Sequence, residues 1–351
     1  MKIGIMTFHW ATNYGAVLQA YALQEYLISK GYSVEIINYK PRRYDYSWLK
    51  CLLPPRNLIR IDKIVKTRRK EKLLSVFRMK YLLMTCRYYS ISELRERANN
   101  YDILISGSDQ ILNPSFTTTG ENGPTSAYYL DFGGSAKKIG YAVSFGCVKY
   151  PEVALPFAMN WINNFSIIGV REDSGINLLA SMGFTGQCDV VPDPTLLIGT
   201  TLFKRIGIDV NNRSGDYTCI YMLRREMKVK GNVRYIDEKH RPLSMEDWLK
   251  TIVNSKLLIT NSYHGMIMAI LAHVPFVVML ESGYAQGMND RFYTLLNKLE
   301  LEDRIVDFTD NSFDKISSKS IDWKNVDKHI DVFRKEGFSF LDKINYESAL
   351  V

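Results

Sequence analysis

The chain has 351 residues, 46% hydrophobic and 23% charged, with a formal net charge of +8. That length predicts two domains, each able to bury its own core, and the composition excludes a disordered chain or a collagen-like repeat. Five cysteines scattered at Cys51, Cys86, Cys147, Cys188 and Cys219 suggest neither a zinc knuckle nor a disulfide framework, so reduced thiols in a cytoplasm are expected.

The opening MKIGIMTFHW reads as a first strand and not as a signal peptide. HWATNYG leads from it into the helical spacing of AVLQAYALQEYLISKG, which stops at Gly31, and YSVEIINY follows as a strand. Such a β-α-β unit builds a parallel sheet. After a basic insertion at about residues 45–90, ISELRERANNYD is helical, ILISG a short buried strand and SDQILNP a loop. The alternation resumes with strand KKIGYAVSFG, helix ALPFAMNWINNF, strand SIIGVRE, helix INLLASMG and the strand-and-turn CDVVPDP. YTCIYML, the Ser244-capped helix SMEDWLKTIVNS, LLIT, the wholly apolar helix GMIMAILAHV, PFVVML and RFYTLLNKLEL continue it. A charged, loosely helical stretch runs from Trp323 to about Tyr346. The predicted fold is α/β, two Rossmann-like domains facing each other across a cleft. The expected limits are residues 1–165, 166–322 and a helical segment 323–351, with no Pro/Gly/Ser-rich hinge to mark the join.

No run of about 18 apolar residues predicts a membrane span. The positive charge is local: ten Lys or Arg fall between Arg56 and Lys80 against Asp62 and Glu71, interleaved with residues such as Ile64, Val65, Leu74 and Phe77. A basic amphipathic helix on an anionic membrane reads this way, and so does a solvated helical insertion. Nucleic-acid binding is not expected, because no recognised motif accompanies the charge.

Ligands of open parallel sheets gather at the carboxyl ends of the strands. This singles out four loops: Thr12-Asn13-Tyr14-Gly15, Ser106-Gly107-Ser108-Asp109-Gln110, Val170-Arg171-Glu172 and Asn261-Ser262-Tyr263-His264-Gly265. His264, directly before a glycine and a buried helix, can share an anionic ligand with backbone donors at that helix start; a histidine that merely caps the helix is the competing reading. Asp109 suits a general base or a sugar-hydroxyl acceptor, or an Asx-turn that closes its loop. Arg171 is the best cation for a carboxylate or phosphate, against a structural ion pair with Glu172 or Asp173. Asp193, in Pro192-Asp193-Pro194-Thr195, reads as shaping a turn. His9 can line the same cleft, His273 reads as a core histidine, and His240 and His329 as solvated. No GxGxxG, Walker loop, GxSxG elbow, HExxH or Cys/His cluster occurs, so dinucleotide, Walker-type ATP and metal binding lack their signals.

Taken in order, NYGAVLQAYAL, GSDQILNP, YAVSFG, GVRE, DPTLL, VNSKLLITNSYHG and NDRFYTLLNKLEL resemble the polysaccharide pyruvyl transferase family over most of the chain. The resemblance implies a fold similar to GT-B glycosyltransferases, phosphoenolpyruvate as co-substrate, no other cofactor and no metal. The acceptor would be a sugar that receives a pyruvate ketal during bacterial-type surface polysaccharide synthesis. His264 and Gly265 match the family's histidine-glycine pair, but Ser262 stands where many members carry an arginine. Arg171 and Arg291 then hold the donor, with Ser262, Tyr263, Gly265 and Asn289 around it and Arg224 or Arg225 in reserve. His264, or a residue it positions, would protonate the enol carbon, and Asp109 or Glu172 would take up the hydroxyl proton. Asn13, Tyr14, Gly15, Gly107 and Ser108 fall on the acceptor side. An acceptor carried on a polyprenyl diphosphate would give residues 56–80 a task at the inner membrane face. A nucleotide-sugar glycosyltransferase and a non-catalytic scaffold of polysaccharide assembly are the alternatives.

Overall fold

A computed structural model describes residues 1–45, 58–120, 123–223, 227–236, 240–306 and 312–346. β1 (Lys2–Met6) is followed by α1 (Tyr14–Ser29), which starts where Asn13 Oδ1 accepts from the Ala16 N–H at 3.2 Å. β2 (Ser33–Ile36), α2 (Leu58–Tyr81), α3 (Ile91–Arg97), β3 (Ile103–Asp109) and the short α4 (Pro114–Thr117) come next. β4 (Lys137–Val143), α5 (Leu155–Ile162), β5 (Ile167–Val170), α6 (Ser174–Ser181) and β6 (Gln187–Val190) complete a six-stranded parallel sheet in the order β2-β1-β3-β4-β5-β6.

α7 (Pro194–Ile198) and α8 (Thr201–Ile206) lead to the second sheet. β7 (Thr218–Tyr221), β8 (Val233–Ile236), α9 (Met245–Val253), β9 (Leu257–Thr260), α10 (Tyr263–Leu271), β10 (Phe276–Met279), α11 (Asp290–Lys298) and β11 (Ile305–Val306) build five parallel strands in the order β11-β10-β9-β7-β8. α12 (Ser312–Ser318) and α13 (Trp323–Tyr346) end the described chain.

The join expected near residue 165 is corrected by these pairings. β5 and β6 hydrogen-bond into the first sheet, so the change of sheet comes between β6 and β7. The C-terminal segment is not separate either. α13 returns to the first sheet, where Phe340 packs against Tyr141, Arg334 Nε donates to the Leu197 carbonyl at 3.1 Å and Lys343 pairs with Asp189 at 2.9 Å.

Strand order reverses at β1/β3 in one sheet and at β7/β9 in the other, the positions where crevices open beyond the strand ends. Two nearly all-buried helices, α1 and α10, meet between the sheets, which explains why the body of α10 is apolar all round; the buried Gln19 and Gln24 of α1 are hydrogen-bonded. Residues 46–57 of the basic insertion, Arg56 among them, lie outside the described residues. α2 itself is docked through Glu71, whose carboxylate accepts from Arg78 at 2.8 Å and from Thr12 Oγ1 at 2.7 Å, while Arg78 Nε donates to the His9 carbonyl at 3.0 Å. His9 does not line the cleft: its ring is buried between the Thr7 carbonyl and Asn38, and burial lowers its pKa to about 4. His273, expected in the core, is part-exposed, 2.9 Å from Asp327 and stacked on Trp323. Among the described residues no helix is long and apolar enough to cross a membrane.

Candidate active site

β3 ends in Gly107-Ser108-Asp109. Gly107 has φ 129°, and a β-carbon there would stand 2.1 Å from the Tyr141 carbonyl oxygen, so only glycine lets β3 and β4 meet at this level. Asp109 is also left-handed, φ 76°, and accepts from Arg171 Nη2 at 3.1 Å. Arg171 stands at the end of β5 with its side chain 0% exposed. Its Nη1 donates to Asp193 Oδ2 at 3.2 Å, and its Nε lies 3.9 Å from Glu172 Oε2. One guanidinium therefore faces three carboxylates, the compensation that a buried charge requires.

Asp193 joins this cluster to the second domain. Its Oδ1 accepts from the Thr195 N–H and hydroxyl and caps α7; its Oδ2 accepts from Ser108 Oγ at 3.3 Å and lies 3.4 Å from His264 Nε2. Burial alone would raise the Asp193 pKa, but the charges of His264 and Arg171 hold it well below the usual carboxylate range. Burial likewise opposes ionisation of Asp109, and Arg171 overrides it so that the pKa is lowered. For Glu172 burial prevails over Arg171 and over the donors Ser144 Oγ and Phe145 N, and its pKa is raised. Arg171 stays charged because Asp109 and Asp193 outweigh its own burial.

His264 lies in the first turn of α10, which Ser262 caps by accepting from the Gly265 N–H at 3.2 Å. The ring rests on α1: a β-carbon on Gly15 would stand 2.1 Å from His264 Nδ1. His264 is 6% exposed, and its Nε2 has no hydrogen-bond partner; the Asp193 approach is an ion-pair contact only. Arg291, at the start of α11, lies with its guanidinium carbon 5.4 Å from the Tyr263 ring centroid, and Arg171 lies 4.9 Å from the same ring. Among the described residues Arg291 makes no ion pair, and its Nε is buried without a partner. Burial, then the neighbouring charge of Arg171, lowers its pKa to about 10.

The expected residues thus divide. His264, Asp109, Arg171, Glu172, Tyr263 and Arg291 come together, but Arg171 is the sealed counter-ion of the carboxylates, whereas Arg291 makes no ion pair among the described residues. Ser108 is fully buried and its hydroxyl lies within hydrogen-bond distance of the Ala142 carbonyl and of Asp193, so it is used inside the cluster. Asn289 spends both ends of its amide on the Glu281 backbone, which makes it a loop clamp. Gly265 packs so closely that a β-carbon would stand 2.7 Å from the Tyr221 ring. Tyr14 latches the domains by stacking on Trp248 at 5.1 Å and donating to the Leu243 carbonyl at 2.9 Å. Arg224 and Arg225 lie outside the described residues. Asp193 is the residue missed by motif reasoning, which saw its turn-capping oxygen and not the other one.

The profile of the polysaccharide pyruvyl transferase family matches residues 13–283. No curated protein matches the chain. Among solved structures it is similar to UDP-GlcNAc 2-epimerase from Methanocaldococcus jannaschii, at 11% identity over 99% of this chain and 100% of that one, TM-score 0.49. It is also similar to the glycosyltransferase SnogD from Streptomyces nogalater, at 12% identity over 100% and 99% of the two chains, TM-score 0.42. Likenesses this distant carry neither activity nor ligand across. The family match spans most of the chain and contains both the Asp109 to Asp193 cluster and His264, and on it the chain belongs to the polysaccharide pyruvyl transferase family.

Proposed function

We propose that the chain moves the pyruvyl group of phosphoenolpyruvate onto a sugar, closing a ketal across two hydroxyls. The observation that carries this reading is His264 Nε2, buried without a hydrogen-bond partner 3.4 Å from Asp193, on a loop whose Tyr263 ring lies beside the unpaired Arg291. An imidazole held beside a carboxylate can carry a proton, and Arg291 supplies a cation for the phosphate or carboxylate of the donor.

His264 gives its proton to the methylene carbon of phosphoenolpyruvate, and the carbon bearing the phosphate becomes electrophilic. One sugar hydroxyl bonds to that carbon, the C–O bond to phosphate breaks with its electron pair going to phosphate, and the second hydroxyl forms the second C–O bond. Of the two hydroxyl protons, one restores the imidazole and the other leaves with phosphate. Glu172 suits the relay of that proton better than Asp109, because burial raises its pKa while Arg171 lowers that of Asp109. The test is phosphate release from phosphoenolpyruvate coupled to acceptor labelling. His264→Ala is expected to lose roughly 10²–10⁴-fold; full activity in that variant would remove the histidine from the mechanism.

α2 supports a peripheral membrane role at the cytoplasmic face. Val65, Val76 and Met79, 56%, 54% and 72% exposed, share one face of the helix with exposed Arg68, Arg69 and Lys72. Flotation with phosphatidylglycerol vesicles should be lost in Arg68→Gln/Arg69→Gln/Lys72→Gln; equal flotation of that variant, or none by the parent chain, would leave α2 a solvated helix.

A further inference from the structure

The two ring nitrogens of His264 have different surroundings. Nε2 is buried 3.4 Å from Asp193 Oδ2, and Ser108 Oγ and Arg171 Nη1 stand 3.3 Å and 3.2 Å from that same oxygen. Asp193, Ser108 and the Arg171 side chain are all 0% exposed, so a substrate atom could reach Nε2 only by parting the cluster. Nδ1 lies instead over Gly15 at the start of α1, where a β-carbon would stand 2.1 Å from it and 2.4 Å from Cγ. Any side chain at position 15 would therefore push the ring out of its place beside Asp193. The carboxylate divides its oxygens in the same way. Oδ1 takes the Thr195 N–H at 3.0 Å and the Thr195 hydroxyl at 2.7 Å, which leaves Oδ2 for the ring. A carboxylate oxygen only accepts, so it favours an N–H on Nε2 and repels a lone pair there.

We infer that Asp193 is a positioning residue that keeps a proton on His264 Nε2, so that Nδ1 is the nitrogen that delivers to the methylene carbon. The inference rests on the pyruvyl-transfer reading and assigns its proton to an atom. In the charged ring both nitrogens carry hydrogen. The electron pair of the carbon–carbon double bond forms the new C–H bond, the Nδ1–H bond breaks, and its pair stays on Nδ1. The neutral ring keeps its Nε2–H toward Asp193, and a hydroxyl proton later returns to Nδ1. The 3.4 Å contact is the loose form of a bond that tightens when the ring is charged. A contact that merely ties the two domains together would need neither nitrogen to hold the proton in particular.

Nitrogen NMR of the full chain carrying isotope-labelled histidine reads this directly, with the His264 signals identified by their loss in His264→Ala. In the neutral ring of the parent chain the proton is expected on Nε2 and protected from exchange with water. Asp193→Asn should reverse the tautomer. Thr195 still needs an acceptor, so the amide oxygen takes the place of Oδ1 and the amide NH2 that of Oδ2, where it donates to Nε2 and moves the ring proton to Nδ1. Pyruvyl transfer by that variant should fall at least about tenfold in kcat, with KM for phosphoenolpyruvate changed less than about twofold. Thermal unfolding checks that the variant folds; if it does not, the parent signal decides, protection on Nε2 supporting the assignment and free exchange overturning it. A proton on Nδ1 in the parent, or a tautomer unchanged in Asp193→Asn, also overturns it. The tautomer is read without substrate, so absence of pyruvyl transfer counts against the donor reading alone.

Discussion

The surroundings of Arg171 and of Arg291 differ in charge balance, although both guanidiniums stand beside the Tyr263 ring. Arg171 is sealed among Asp109, Glu172 and Asp193; Arg291 makes no ion pair among the described residues. A balanced buried cluster is an internal strut: it fixes strand ends and holds Asp193 beside His264. A cation's role is therefore read from the charges around it and not from the motif in which it stands.

The largest expected effect follows from breaking the balance. Arg171→Leu leaves three buried carboxylates without their counter-ion, and urea unfolding should show a loss of about 3–5 kcal/mol. A loss below about 1 kcal/mol would mean that water reaches the cluster. The acid limb sharpens the same point. Asp109 and Asp193 have folded pKa values below their ordinary 3.8, so the stability they contribute is complete above that pH and is lost as pH falls through the lowered values. Asp193→Asn should flatten the fall in urea midpoint below pH 3.8. Glu172, raised above 4.5, acts in the opposite sense and costs stability as pH rises through its shifted value.

Gly15→Ala should cost about 1–3 kcal/mol, since the added carbon meets the His264 ring. In a His264→Ala background the cost should fall but not vanish, because the ring atoms at 2.1 and 2.4 Å are removed while the β-carbon at 2.8 Å stays; a cost that does not fall would place the strain elsewhere.

Much of this was legible in the sequence. Alternating strands and helices carried both sheets, and small and polar residues at the strand ends marked His264, Asp109 and Glu172. The domain join was not legible, because the passage from β6 through α7 and α8 has no breaker-rich hinge and the short β8 and β11 look like loops. Asp193 was read as a turn residue since one of its oxygens does cap α7, and its second role depends on residues 22 and 85 positions away. Arg171 looked like a ligand cation for the same reason: Asp109, which neutralises it, is 62 residues distant. Patterns of local spacing report a helix face or a strand end, whereas charge balance is set by which loops the two sheets bring together.

The most direct measurement is the thermal stability of the chain and of Arg291→Gln with phosphoenolpyruvate, UDP-sugars and GDP-sugars. A ligand at about 100 times its Kd adds about 2.7 kcal/mol to the folded state, a shift easily read. Phosphoenolpyruvate should stabilise the chain, and the effect should be lost in Arg291→Gln. Stabilisation that survives in Arg291→Gln, or that only a nucleotide sugar produces, would contradict a phosphoenolpyruvate site at Arg291 and His264.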